Sequence, residues 1–114
     1  MLPELDKERL LHIMDAARKI GEFIAGLSEE DFQRSDLVQH RVINCLYIIA
    51  EAATRITQAT RDRFPNIEWD VMRGIRNRLA HAYFDINLGI IWYSVTTDTP
   101  RLLAAVEKIL ASEQ

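Results

Sequence analysis

The stretch "DLVQHRVINCLYIIAEAATRI", Asp36 to Ile56, decides the fold. Val42, Leu46, Ile49, Ala53 and Ile56 recur at alternating intervals of four and three, the period of one helix face. Beside that seam, Ile43, Tyr47 and Ala50 form a second apolar stripe, so more than half of the girth is apolar. A helix on the outside of a bundle buries one narrow stripe. A helix apolar this far around is either the central one, or one that faces both its own core and a second subunit. Ser35 stands at the N-cap position. Phe64-Pro65-Asn66 is expected to end the helix, because the residue before proline avoids helical angles and proline has no N–H.

Outward from this helix, the same period appears on both sides. Leu10, Ile13, Met14, Ala17, Ile20, Ile24 and Leu27 mark an amphipathic helix from about Leu5 to Ala25, which Gly26 ends. Ser28 and Asp31 have the spacing of a capping box and open a short helix, "EEDFQ". Downstream, a helix begins near Trp69 and buries Val71, Met72, Ile75, Leu79 and Ala82. Asp85 to Asn87 form a turn with an N-cap. "LGIIWYSV" reads locally as strand or helix, and its place between helices decides for a short helix. Thr99 caps a last helix that has Pro100 at its first position and Leu102, Leu103, Val106, Ile109 and Leu110 inside. The fold class expected is all-α: a bundle of four or five main helices in one domain, residues 1–114, with a dimer interface along the central helices.

Bulk composition limits what such a bundle does. Of 114 residues, 48% are apolar and 27% charged, enough for one modest core and unlike a disordered chain. No apolar run approaches the ~20 residues of a membrane span, and the acidic start "MLPELDKERLL" lacks the order of a signal peptide. No membrane partner is expected, and the location expected is cytoplasmic. Cys45 has no partner for a disulfide and is expected to be buried. With His12, His40 and His81 scattered, nothing has metal-ligand spacing, so no metal and no cofactor are expected. Net charge is −3, but it is unevenly spread. Residues 1–36 hold nine acids and five bases, whereas residues 55–78 hold six arginines and three acids. The acidic total conceals a basic middle.

That middle contains the densest functional stretch, "RGIRNRLAHAYF", Arg73 to Phe84. On a helix Arg76 and Tyr83 are seven apart and share a stripe about 10 Å long. His81 lies five positions from Arg76, about 140 degrees around the axis, so the two do not converge on a straight helix. Either the helix distorts after Ala80, or the site draws its groups from two chains. Histidine exchanges a proton near neutral pH, and arginine holds a fixed fork that fits phosphate. Cleavage of RNA by its own 2′-hydroxyl needs a base, an acid and a cation, and a twofold dimer supplies two histidines. Tyr47 and Tyr93 have apolar neighbours and are expected to pack, leaving Tyr83 alone among arginines. His12 and His40 have no second catalytic group beside them.

"RNRLAHAY" resembles the Arg-x4-His-x-Tyr signature of the HEPN superfamily, and of its HepT-like toxins in particular. The likeness extends over "IMDAARKIGEFIAGLSEEDF", "YIIAEAATRI", "FPNIEWDVMRGIRNRLAHAYFDIN" and "IIWYSV", with Ala50 where the family pattern leads one to expect glycine. The resemblance implies a homodimeric, metal-independent ribonuclease, the toxin of a toxin–antitoxin pair. Arg76 and His81 match the catalytic pair, and Asn77 the polar residue that orients the arginine. Tyr83 matches the tyrosine that a cognate MNT-type nucleotidyltransferase antitoxin modifies with AMP. Arg73 and Arg78 are candidate contacts to RNA phosphates, and Glu51 is expected to pair with an arginine near the site. Two other readings stand beside this one: a non-catalytic module that binds a nucleotide or docks a nucleotidyltransferase, and a purely structural bundle.

Overall fold

The computed structural model describes residues 1–85 and 87–113, with the backbone alone at residues 81–85. The expectations for the side chain of Ala82 and for the turn at Ile86 lie outside the described residues. Helices are α1 (Glu4–Ile24), α2 (Glu29–Gln33), α3 (Asp36–Arg55), α4 (Gln58–Arg63), α5 (Trp69–Asp85), α6 (Leu88–Tyr93) and α7 (Thr99–Ser112), with a π-helical turn at Ser94–Asp98. Four of them, α1, α3, α5 and α7, form the bundle, and no strand occurs among the described residues. α3 is the central helix, with α1 on one side and α5 on the other, while α7 packs on α1. The molecule measures 44 × 27 × 20 Å. Its thin dimension is about two helix diameters.

Local chemistry sets the ends of these helices. After Ile24 the chain takes a type II turn: Ala25 is at φ −55, ψ 125, Gly26 at φ 76, and the Leu27 N–H donates to the Ile24 carbonyl at 2.9 Å. Ser28 and Asp31 form the expected capping box, each side chain accepting from the other's backbone N–H. Ser35 caps α3 by accepting from the Val38 N–H, and Asn87 caps α6 by accepting from that of Ile90. The whole seam of α3 is buried, and so are Leu10, Ile13 and Ile20 of α1, Met72, Ile75 and Leu79 of α5, and Val106 of α7. Cys45 is buried among them, and burial pushes its thiol up. At roughly 1.5–3 kcal/mol for each such side chain, this core is the main stabilising term.

Two helix boundaries differ from the sequence reading. The central helix ends at Arg55 rather than running to Pro65: Ile56 turns to φ −64, ψ 133, and Thr57 caps the separate helix α4. The break is held from outside. Asp6 of α1, fully buried, accepts from the Thr57 N–H at 3.2 Å and from the hydroxyls of Thr57 and Thr60 at 2.5 Å each. Pro65 does stop a helix, but that helix is α4. The second difference is at Thr99, which is not a cap. Its backbone is helical, its N–H reaches the Ser94 carbonyl five residues back, and its hydroxyl donates to the same carbonyl at 2.9 Å. Pro100 has no N–H to continue the ladder and crowds the carbonyl four residues back, so the preceding turn widens instead of ending.

Candidate functional site

The arginine-rich stretch lies on α5, which buries Met72, Ile75 and Leu79 and turns its other faces outward. Because α5 stays α-helical from Trp69 to Asp85, the backbone does not leave helical geometry after Ala80. The angular separation of positions 76 and 81, about 140 degrees, therefore stands. The side chains of His81 and Tyr83 lie outside the described residues.

Each of the three arginines meets a carboxylate. Arg76, exposed, has its fork 3.4 Å from Glu51 of α3, which meets the expectation for Glu51. Arg73 pairs with Asp70 one turn back at 2.7 Å, an exposed pair of small energetic value. Arg78 is held more closely. Its Nη1 donates to Asp98 at 2.7 Å and to the Ser94 hydroxyl at 3.1 Å, and the Asp98 side chain is only 9% exposed. Asn77 is exposed beside Arg76.

Glu51 also lines an open groove of about 450 Å³ between α1 and α3, together with Arg9, His12, Tyr47, Ile48 and Arg55. The Arg76–Glu51 pair thus stands at the edge of a surface of mixed charge, with Arg9 and Arg55 against Glu8 and Glu51, on which Tyr47 is 39% and Ile48 41% exposed. Among the described residues, no three His, Cys, Asp or Glu side chains converge as a metal site, and no helix is long and apolar enough to cross a membrane.

Residues 13–109 match the family model described as Ribonuclease HepT-like. The chain belongs to the HepT-like ribonuclease family. Relatives of this HepT-like chain include a protein of Methanocaldococcus jannaschii named "Putative RNase", 35% identical over 89% of this chain and 93% of the relative. Another with that name, from Caldanaerobacter subterraneus subsp. tengcongensis, is 30% identical over 92% of this chain and 94% of its own. "Probable ribonuclease HepT" of Thermococcus cleftensis is 35% identical over 90% and 94%. No solved structure matches.

One expectation about the HepT-like site is corrected. Tyr47 and Tyr93 do not pack inside: Tyr93 is 55% exposed, and Tyr47 sits in the groove with Arg9 and Arg55. Apolar neighbours in sequence do not guarantee burial: Leu46 is in the core, while Ile48 is exposed with Tyr47 on the open side of α3. The ring of His40 hydrogen-bonds the Asp36 carbonyl at 2.7 Å. The sequence reading missed His12 as a groove residue and Asp98 and Ser94 as partners of Arg78. Asp98 and Ser94 lie 20 and 16 residues from Arg78, and no periodicity links such positions.

Proposed function

We propose that this HepT-like chain is an endoribonuclease toxin that cleaves RNA without a metal ion, through Arg76 and His81, in a site completed by a second copy. The observation that carries this reading is the unbroken α5. It holds Arg76 exposed beside Glu51 and fixes position 81 about 140 degrees away. One rigid helix does not bring both groups to one phosphate; two helices related by a twofold axis can. The exposed Tyr47 and Ile48 next to the Glu51–Arg76 pair supply an apolar face for that contact.

In this reading the imidazole of one copy's His81 takes the proton of a ribose 2′-hydroxyl. The 2′-oxygen then forms a bond to phosphorus while the bond to the 5′-oxygen breaks, and that oxygen takes a proton from the other copy's imidazolium. The products are a 2′,3′-cyclic phosphate and a 5′-hydroxyl. Arg76 neutralises the charge that grows on the phosphoryl oxygens, Asn77 orients it, and Arg73, held only by an exposed pair, is free to turn to a neighbouring phosphate. Arg78, the other candidate phosphate contact, is already engaged by Asp98 and Ser94. Transfer of AMP to the Tyr83 phenol by an MNT-type nucleotidyltransferase antitoxin would add bulk and negative charge two turns from Arg76, closing the site to RNA.

The test is cleavage of a mixed RNA by unmodified protein in excess EDTA, with the product ends analysed by mass. Cyclic-phosphate ends that fall by about 100-fold or more in His81→Ala are expected. Cleavage that survives His81→Ala, or that needs an added metal, would remove the reading. Intact mass after co-expression with a nucleotidyltransferase antitoxin should place one adenylate on Tyr83, and none in Tyr83→Phe.

A further inference from the structure

We propose that Arg78 is a positioning residue and that Asp98, with Ser94, is the anchor that holds it, so that the π-helical turn fixes the rotation of the motif helix. This deepens the ribonuclease reading above and rests on it. Arg76 and Arg78 are two positions apart, about 200 degrees around α5, so they leave the helix on opposite flanks. One flank meets Glu51 of α3; the other meets Asp98 and Ser94 of the π turn. The core residues Ile75 and Leu79 lie between them, so α5 is gripped on both sides of its buried stripe.

The two grips are not alike. Arg76 and Glu51 are 60% and 45% exposed, at 3.4 Å, a pair that a phosphate can displace. Asp98 is 9% exposed and accepts from Arg78 at 2.7 Å, while its other oxygen lies 3.4 Å from Arg101. Ser94 is buried and gives Arg78 a second acceptor at 3.1 Å. A nearly buried carboxylate between two arginines holds its donor rather than releasing it. The anchor sits in the π turn, a rare widening of the ladder that is often found at functional sites. A roll of α5 by about 10 degrees displaces a group about 6 Å from its axis by roughly 1 Å, and a misplacement of that size costs up to about 100-fold in rate. Holding Arg78 thus holds the angular positions of Arg76 and His81 on the same helix.

The test compares Asp98→Asn, Ser94→Ala, Arg78→Ala and Arg78→Lys with the wild-type dimer, by RNA cleavage kinetics and by amide exchange over residues 74–85. Asp98→Asn and Arg78→Ala should lower kcat by about 10- to 100-fold with KM changed by less than about twofold. Ser94→Ala should do the same on a smaller scale, and Arg78→Lys, whose ammonium still reaches Asp98, should recover most of kcat. Amide exchange in that segment should quicken in Asp98→Asn by roughly tenfold while α1 keeps its protection. If Arg78 instead contacts RNA, Asp98→Asn frees it, so KM falls and kcat holds; that result overturns the proposal, as does unchanged amide exchange. A wild type that cleaves no RNA removes the ribonuclease reading, and the exchange measurement still decides whether the anchor holds the helix.

Discussion

Asp6 carries a charge into a fully buried position, and its partners explain how. Burial works against the ionised form, but the hydroxyls of Thr57 and Thr60, the Thr57 N–H and the charge of Arg9 outweigh it and hold the carboxyl below its ordinary value of 3.8. A depressed carboxyl gives stability that is complete above the ordinary value and is lost as pH falls through the folded one. Asp6→Asn keeps the shape but loses the charge-assisted acceptor, and should cost about 2–4 kcal/mol at neutral pH. The gap to wild type should narrow below about pH 4, where the carboxyl of the unfolded chain begins to take up a proton that the folded one resists. Urea midpoints near pH 7 and pH 3 check both the size and the sign. A gap that widens on acidification would contradict this account of Asp6.

Among the elements, the turn after α1 gives the sharpest contrast between two glycines. Gly26 has φ 76, whereas Gly21 is exposed inside α1, and an added Cβ meets nothing within 4 Å at either. Space is equal, so the backbone alone decides. Gly26→Ala should lose about 1–2 kcal/mol, because an L side chain at positive φ crowds the following carbonyl. Gly21→Ala should gain roughly 0.5–1 kcal/mol by restricting the unfolded chain. Thermal or urea unfolding of the two variants beside wild type reads opposite signs. The short helices follow the same local logic, each opened by a side-chain cap: Ser28 for α2, Thr57 for α4 and Asn87 for α6.

A slab two helices thick leaves each long helix one open side, and on α3 that side shows Tyr47 and Ile48. The excess apolar girth of the central helix is thus only partly absorbed by α1 and α5. In the proposed dimer the second copy covers the rest. Wild type should elute at twice the chain mass, and Ile48→Glu, a substitution at a site open to solvent, should give a folded monomer that no longer cleaves RNA. Unaltered helicity by circular dichroism separates this from misfolding. A variant that remains dimeric and active would move the interface away from this face.

The helical period of the apolar residues, the capping spacings and the glycine at the turn are local properties, and each is legible from a few consecutive residues. They determined the all-helical fold, the central place of the helix that Ser35 opens and the helix that carries Arg76, Asn77 and His81. Tertiary structure decided what depends on groups far apart in the chain. The break at Thr57 has a local part, the cap that Thr57 gives Thr60, but the carboxylate that anchors it is Asp6, 51 residues away. Thr99 looked like a cap, and the helix passes through it because the π turn absorbs Pro100. Arg78 looked like Arg73 until Asp98 and Ser94 were seen to hold it. Charge and periodicity act along the sequence; burial and hydrogen-bond partners depend on distance in space, and folding alone brings those groups together.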